Sequence, residues 1–257
     1  MTGRVQRVWL NGTEFASVHP ALLLQHINEG DTKLTQKWMD RPGCGQILTG
    51  HAPQRREIHI EFAIRDGRDY ARRVEAFSAA CAWAYAGGWL ELSDRPGQKI
   101  YVKLSQLPTL GRLREWTETM TIDFVAGWYP FFENKEPSTG SVTNVSQGSL
   151  SMFVPGNVQS CLGATVVSSS ALSSIRLGVQ ETGTEILIAP SPSITAGAEI
   201  KLFYTDQHLL CITAGGTDLM RWRTGSDDLL VNPGANTINY QFDAASDLQL
   251  IAGGAWL

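Results

Sequence analysis

The sequence predicts a mainly β protein with an N-terminal α+β domain, built from an antiparallel sheet and one helix, and a C-terminal β-sandwich. Residues 57–64, EIHIEFAI, alternate apolar and polar side chains with the period of a half-buried strand. Only residues 66–86 carry apolar side chains at helical spacing over several turns. Beyond residue 141, short apolar runs alternate with Gly- and Pro-containing turns, which is typical of a sandwich or a small jelly roll.

The first predicted element is a hairpin at residues 4–17, because Asn11-Gly12 suits the positive φ angles of a type I′ turn. The helix follows, with Asp66 and Asp69 as candidate N-caps and Gly87-Gly88 as its end. Its predicted buried face consists of Tyr70, Val74, Phe77, Cys81 and Ala84. Three further strands are predicted at residues 89–93, 99–107 and 116–126.

Residues 28–55 follow neither the helical nor the strand period, and they mix Gly, Pro and charged residues around Trp38-Met39. Connections longer than about 12–15 residues are rare in compact domains unless they bind something. We therefore interpret this segment as an arm or extended hairpin that projects from the N-terminal domain. A Trp and a Met in such an arm need cover, either from another chain or by folding back onto their own domain.

The composition changes at residues 133–141, ENKEPSTGS, which predict a linker. Residues 1–135 carry 17 Lys+Arg against 15 Asp+Glu, whereas residues 136–257 carry 4 against 10. With a formal net charge of −4, the chain is not a globally basic nucleic-acid binder. Strands of the sandwich are predicted at residues 149–154, 161–168, 173–179, 184–189, 199–205, 208–213, 228–231, 236–242 and 247–251.

The sequence carries no recognisable targeting signal or membrane-spanning segment. No run approaches the ~18 apolar residues of a membrane span, and the first residues lack the apolar core of a signal peptide. The four cysteines, at positions 44, 81, 161 and 211, form no C-x-x-C pair, which favours free thiols over a disulfide framework. We expect synthesis in a cytoplasm and no association with a membrane.

Motifs for catalysis are missing from the sequence. It has no phosphate-binding Gly loop, no dinucleotide fingerprint, no Gly-x-Ser-x-Gly and no His-Glu-x-x-His. His59-x-Glu61 matches half of a zinc deaminase signature, but strand alternation places both residues on the solvent side and the Pro-Cys-x-x-Cys half is lacking. We therefore expect no catalytic residues, metal, cofactor or enzymatic activity. A hydrolase with a carboxylate pair brought together by the fold is the minority alternative.

An arginine cluster surrounds the junction between the strand and the helix: Arg55, Arg56, Arg65, Arg68, Arg72 and Arg73. It is either a solvated face neutralised by nearby carboxylates, or a rim that pairs with carboxylates of a neighbouring subunit. Contact with the DNA backbone is a third option, which the acidity of the chain disfavours. The interface interpretation predicts these contact residues: Trp38, Met39, Arg55, Arg56, Arg65, Arg68 and Arg72.

Four aromatic residues of the β-rich half, Phe203, Tyr204, Trp222 and Trp256, are either a sugar-stacking platform or core. Core packing is favoured for Trp256. Trp222 is kept as the candidate glycan contact.

The motifs of the first half of the chain follow one another in a distinctive order. The strand REIHIEFAI precedes a helix that ends in small residues and Gly-Gly. After it come WLEL with Asp94-Arg95-Pro96, then KIYVKLSQL, and then a strand that closes in the aromatic segment 124–132, FVAGWYPFF. This order resembles that of the distal tail proteins (Dit) of siphophages. The segment PGANTINYQF resembles a strand entry of the galectin-like or carbohydrate-module-like sandwiches that follow in many members of that family.

The resemblance implies a ring-forming N-terminal domain at residues 1–132 with an arm at 28–55, a linker at 133–141, and a galectin-like β-sandwich at 142–257. It implies a structural phage tail component, a homohexameric ring that joins the tail tube protein to the tail hub or tip proteins. Such a protein would be made in the host bacterial cytoplasm and reside in the virion, at the baseplate or tail tip, without sequence-specific nucleic-acid binding. The alternative function is a carbohydrate-binding module or adhesin that assists attachment to the host surface.

Overall fold

A computed structural model describes residues 6–30, 34–41, 45–65, 69–109, 119–127 and 129–257. The chain divides into two compact units, Met1–Phe132 and Glu133–Leu257, which we call the first unit and the second unit. Strands paired in antiparallel sheets dominate both units. The mainly β fold class predicted from the sequence is therefore confirmed.

The described residues of the first unit form nine strands and two helices. In chain order they are β1 (Val8–Leu10), β2 (Thr13–Glu14), α1 (Phe15–Val18), β3 (Leu22–Glu29), β4 (Leu34–Arg41), β5 (Gly45–Pro53), β6 (Arg56–Ile64), α2 (Tyr70–Tyr85), β7 (Gly88–Leu92), β8 (Gln98–Gln106) and β9 (Met120–Ala126). The strand β10 (Phe132–Asn134) lies at the boundary between the units. Seven of these strands form the main path of a nine-stranded sheet, in the order β2-β1-β7-β8-β9-β6-β3.

The predicted hairpin turn connects β1 and β2 at one edge of this sheet. Asn11 and Gly12 have φ angles of 51° and 80°, the left-handed values that the Asn-Gly dipeptide tolerates. The Asn11 side-chain amide also donates to the Gly87 carbonyl at 3.0 Å, and its oxygen accepts from the Trp89 amide at 3.0 Å. The turn thus joins β1 to the segment that follows the helix.

The core of the first unit follows the strand alternation predicted from the sequence. Ile58, Ile60 and Phe62 of β6 are fully buried, and so are Ile122 and Phe124 of the neighbouring β9. The opposite face of β6 carries partly exposed polar side chains, as alternation requires.

The helix α2 is confirmed, but the prediction of its buried face is wrong in part. Asp69 is the N-cap, and its carboxylate accepts from the Ala71 amide at 2.9 Å. The fully buried positions are Ala76, Ala80 and Ala84, whereas the predicted Tyr70 is 58% exposed. Alanines recur at every fourth position on this face, and their small side chains allow the helix to lie close to β6 and β8.

The second unit is a sandwich of short strands around two long ones. They are β11 (Ser138–Val154), β12 (Ser160–Ser168), β13 (Ile175–Val179), β14 (Thr184–Ile188), β15 (Glu199–Tyr204), β16 (Leu210–Ala214), β17 (Thr217–Asp218), β18 (Arg223–Gly225), β19 (Leu230–Val231), β20 (Gly234–Ala252) and β21 (Ala255–Trp256). A 3₁₀ turn, Met220–Trp222, precedes β18. The main sheet order is β17-β16-β15-β12-β20-β13-β14-β18.

The strand β20 links the two faces of the sandwich. Its first part pairs with β13 and its last part pairs with β12, while β11 pairs with it along almost its whole length. The sequence predicts two separate strands here, 236–242 and 247–251, and the structure joins them into one. The reason is that β11 pairs with both parts and absorbs the bend through register shifts between Val142 and Gln147.

Residues 133–141, for which the composition predicts a linker, include the end of β10 and the start of β11. The core of the second unit lies between its two sheet faces and is mostly aliphatic, with Leu162, Leu172 and Ile175 almost fully buried.

Candidate functional site

The predicted arm contains a hairpin of its own. The strands β4 and β5 form a separate two-stranded sheet, and neither pairs with another described strand. Their register runs from Leu34 opposite Pro53 to Arg41 opposite Gly45, with a shift between Lys37 and Trp38. Residues 28 and 29 belong to β3 instead, paired with β6.

Of the two predicted contact residues in the arm, Met39 is 58% exposed. The backbone of Trp38 lies in β4 opposite Leu48, and its side chain lies outside the described atoms. An isolated two-stranded hairpin is marginally stable in water. Within the part of the chain that the structure describes, each of its strands has one edge without a strand partner, and such edges can pair with another chain.

The predicted arginine cluster separates into an exposed and a buried group. Arg55, Arg65 and Arg72 are exposed, and Arg68 lies outside the described residues. Arg55 pairs with Glu57 at 3.0 Å and Arg72 with Asp69 at 3.8 Å, both in solvent, where such pairs contribute little. Arg56 and Arg73 are buried, at 5% and 8% exposure. Among the described arginines of the cluster, the exposed group is the one available to an external partner.

Burial of Arg56 follows from the aromatic segment that ends the first unit. Phe132 is fully buried, and the guanidinium carbons of Arg56 and Arg95 lie 5.3 Å and 4.3 Å from its ring centroid. Arg95 also donates to the carboxylate of Glu29 at 2.8 Å. Cations over an aromatic face are attracted to its electron density, so the segment acts as a packing element.

His59 and Asp123 are cross-strand neighbours in the first unit. A His beside a carboxylate is a pair that also occurs in catalytic sites. His59 Nδ1 lies 2.7 Å from Asp123 Oδ1, and both side chains are about one-third exposed. In the part of the chain that the structure describes, no group of three or more His, Cys, Asp or Glu side chains is placed to hold a metal ion.

Trp222, the predicted glycan contact, lies in a cleft of about 360 Å³ in the second unit. Other lining residues include Pro190, Ser191 and Asp218. The indole packs against the hydrophobic core, and the Arg221 guanidinium carbon lies 4.7 Å from the ring centroid. These two neighbours compete with a sugar for the faces of the ring.

A cluster of ionisable groups lies at another end of the second unit. Burial, reinforced by the charges of Asp228 and Glu133, raises the pKa of the Cys161 thiol to about 12. Burial also raises the pKa of the Tyr204 hydroxyl, which accepts from the Leu229 amide at 2.8 Å. His208 Nε2 lies 3.0 Å from Glu133 Oε1. With its pKa this high, the Cys161 thiol stays protonated near neutral pH and is a poor nucleophile.

A polar groove of about 490 Å³ lies in the second unit, and no motif in the sequence predicts it. We define the polar groove by its lining residues, Gln147, Gly148, Arg176, Gly178, Glu185, Asn239, Tyr240 and Gln241. Alternation along the predicted strands 173–179 and 236–242 already places Arg176, Asn239 and Gln241 on the outer face. Their proximity depends on which strands pair, and strand alternation does not reveal this.

No protein-family model and no curated protein matches the sequence. Solved structures do match. The chain aligns over 96% of its length with 98% of the crystal structure of Dit from phage SPP1, with a TM-score of 0.68 and 12% identity. The chain has the fold of SPP1 Dit. That protein is described as a paradigm of the hub adsorption apparatus in phages that infect Gram-positive bacteria.

A second structure, the phage P2 baseplate in its activated conformation with Ca, matches with a TM-score of 0.51 and 9% identity, over 97% of this chain and 98% of that one. The resemblance to Dit proteins inferred from the motifs is confirmed at the level of the fold, over both units. No helix in the described residues combines the length and the apolar character needed to span a membrane.

Proposed function

We propose that this chain is a structural component of a phage tail, a distal tail protein that forms a hexameric ring and joins the tail tube to the tail hub or tip proteins. The observation that carries the proposal is the likeness to SPP1 Dit along nearly the full length of both chains. The proposal places the protein in the virion, at the tail tip, and includes no catalytic step and no cofactor.

The arm supports a role in assembly. The hairpin of β4 and β5 pairs with no other described strand, and Met39 exposes more than half of its surface. Full burial of an exposed Met side chain is worth about 1.5–3 kcal/mol, and covering the exposed part of Met39 would contribute roughly half of that to an interface. A ring closes when each arm contacts the next subunit through one repeated, heterologous interface.

The exposed arginines support the same interface. Arg55, Arg65 and Arg72 are accessible, and they lie in the unit that carries the arm. In our proposal they pair with carboxylates on the rim of the neighbouring subunit. Such rim pairs set register and association rate more than affinity, so ring formation should weaken at high salt without being abolished.

Sedimentation velocity of the purified chain tests the ring. We expect a species of about six times the 28.1 kDa chain mass. Trp38→Ala and Met39→Ser should reduce the assembled fraction while leaving the melting temperature of the monomer unchanged.

The matched control is Phe153→Ser, which removes a similarly exposed apolar side chain, 68% accessible, from the second unit. This variant should still form rings. A wild-type chain that stays monomeric at high concentration contradicts the ring. Melting of the monomer by Trp38→Ala, as a core truncation would cause, contradicts the assignment of the arm.

A second candidate function is a carbohydrate-binding module or adhesin that assists attachment to the host surface. The observation that favours it is the polar groove on the sandwich. The two functions are compatible in one protein, since they use different units.

A further inference from the structure

We propose that the polar groove of the second unit binds a neutral oligosaccharide. This inference deepens the second candidate function by giving it a site and a ligand class. It does not depend on the ring, since every residue of the groove belongs to the second unit.

Strand pairing brings the groove residues together in two rows. Gln147 of β11 pairs with Gln241 of β20, which pairs with Arg176 of β13. The second row lies two residues further along each strand. In this row Ser149 of β11 pairs with Asn239 of β20, and Asn239 pairs with Gly178 of β13. Gly178 in turn pairs with Glu185 of β14. Residues two apart on a strand share a face, so both rows lie on the outer face, about 7 Å apart.

Gly178 forms the floor of the groove between two exposed polar neighbours. Its row partners Asn239 and Glu185 both extend their side chains into solvent. A Cβ built at position 178 would meet the Glu185 side chain only at 3.6 Å, an ordinary contact distance. A side chain at position 178 would therefore cause no clash with the backbone. The space above Gly178 is open because glycine has no side chain to fill it.

The lining groups suit a ligand that both donates and accepts hydrogen bonds. The amides of Gln147, Asn239 and Gln241 each offer two N–H donors and a carbonyl acceptor. Arg176 adds donors and Glu185 adds acceptors. Their ion pair, 3.5 Å between Arg176 Nε and Glu185 Oε1, leaves each side chain about half exposed, so both retain bonding capacity. Sugar hydroxyls match this mixture.

Charge and polarity disfavour two other ligand classes, polyanions and apolar molecules. The one cation and one anion of the groove cancel, and the second unit is acidic overall, which disfavours a nucleic acid or another polyanion. Few apolar side chains line the groove, so an apolar ligand would gain little from burial. The volume of about 490 Å³ lies within the range of small-ligand sites.

An exposed aromatic extends this face beyond the groove. Residues 147–154 of β11 pair with β20 without a register shift, so Phe153 lies on the same face as Gln147 and Ser149. Phe153 is 68% exposed, and its ring carries no hydrogen-bonding group. It offers a stacking surface for a sugar unit at one end of a longer ligand.

The test measures binding of the full chain to an array of neutral oligosaccharides built from glucose, galactose, N-acetylglucosamine and rhamnose, followed by titration calorimetry with the best oligosaccharide. Heparin tetrasaccharide serves as the charged probe. We expect binding of at least one neutral oligosaccharide at millimolar affinity or tighter, equally strong at low and high salt. Gly178→Val should abolish this binding with no loss of melting temperature, because valine fills the floor and favours strands.

Gln241→Ala should lower the affinity about 2- to 10-fold, the effect of one hydrogen bond. The matched control is Gln249→Ala, which removes the same exposed side chain from the same strand outside the groove and should change nothing. If Gly178→Val does not fold, an Asn239→Ala, Gln241→Ala double variant replaces it.

Three results would overturn the proposal: no neutral oligosaccharide bound at millimolar concentration, salt-sensitive binding of heparin alone, or equal affinity in wild type and all groove variants. Loss of binding only in Trp222→Ala would move the glycan site to the other cleft and retain the second candidate function. The ring is judged separately by sedimentation, so a failed groove and a failed ring are distinguishable.

Discussion

The two units of the molecule fill their cores with different side chains. In the first unit the ring of Trp83 contacts those of Phe15 and Phe124, with centroid separations of 5.0 Å and 6.0 Å, and Phe15 contacts Phe62 at 5.3 Å. The second unit instead buries mostly aliphatic side chains between its sheets. An aromatic cluster concentrates burial in a few large residues, whereas an aliphatic core distributes it. The first unit should therefore be more sensitive to a single truncation.

The largest expected effect is in the aromatic cluster. Phe124→Ala should cost about 3–5 kcal/mol of unfolding free energy, because it removes a fully buried ring and leaves a cavity. Urea denaturation monitored by circular dichroism measures the loss. Leu162→Ala, a fully buried aliphatic truncation in the second unit, is the comparison. A larger loss for Leu162→Ala than for Phe124→Ala would break the contrast between the two cores.

The second unit also buries a side-chain amide beside its aliphatic core. Asn236 is fully buried, its side chain accepts from the Asn232 amide at 2.8 Å, and it donates to the Asn232 and Gly234 carbonyls at 2.7 Å and 3.1 Å. Asn236→Ala should cost about 1–3 kcal/mol, since it leaves these groups without partners. Thermal unfolding measures this loss of stability. The control is Asn239→Ala, which changes an exposed position on the same strand and should leave the stability nearly unchanged.

A smaller effect is expected at the helix of the first unit, an element that the second unit lacks apart from a 3₁₀ turn. Asp69→Ala removes the N-cap bond to the Ala71 amide and should cost about 1 kcal/mol. Calorimetry gives the change in unfolding free energy. Asp69→Ser, which retains a capping oxygen, should restore most of it, and equal losses in both variants would argue against a capping role.

The smallest expected effect concerns pH and the second unit. Burial, and then the neighbouring Asp227 charge, raises the pKa of the Asp228 carboxyl, while Arg223 and His208 oppose the shift. The folded state thus binds this proton more tightly than the unfolded chain does. Its stabilising contribution is present below the ordinary pKa of 3.8 and is lost as the pH rises through the raised value.

Asp228→Asn should therefore be slightly more stable than wild type at neutral pH, and the difference should vanish in acid. Urea denaturation at a series of pH values measures this. A variant less stable than wild type at neutral pH would mean that the ionised Asp228 stabilises the fold through its cationic neighbours.

Local patterns predicted the regular elements of the first unit well. The alternation of β6 and the capping and stop signals of α2 are local properties, and the structure reproduces both. The buried face of α2 was harder to predict because Ala76, Ala80 and Ala84 have little hydrophobic signal, yet they allow close packing. Arg56 carries a charge that predicts exposure, and its contact with Phe132, which is distant in the sequence, is part of a buried environment that no local pattern reveals.

The two candidate surfaces, the arm and the polar groove, also differ in how far local sequence patterns predict them. The separate hairpin of β4 and β5 lies in the segment that the sequence marks by its lack of a regular period, which is a local signal. The polar groove could not be predicted, because Gln147, Arg176 and Asn239 become neighbours only through the pairing of strands far apart in the chain. Their polarity is visible in the sequence, and their convergence is a property of the topology.

The long strand β20 also affects how the protein is made. It lies between β12 and β13 in the sheet order and carries β11 along its length, so both faces of the sandwich need it. The second unit cannot close until residues 234–252 have left the ribosome, whereas all strands of the first unit emerge much earlier. Domains fold as units during translation, N-terminal ones first. The first unit can thus fold, including its arm, before β20 has been synthesised. Until then the other strands of the second unit lack the strand with which they pair.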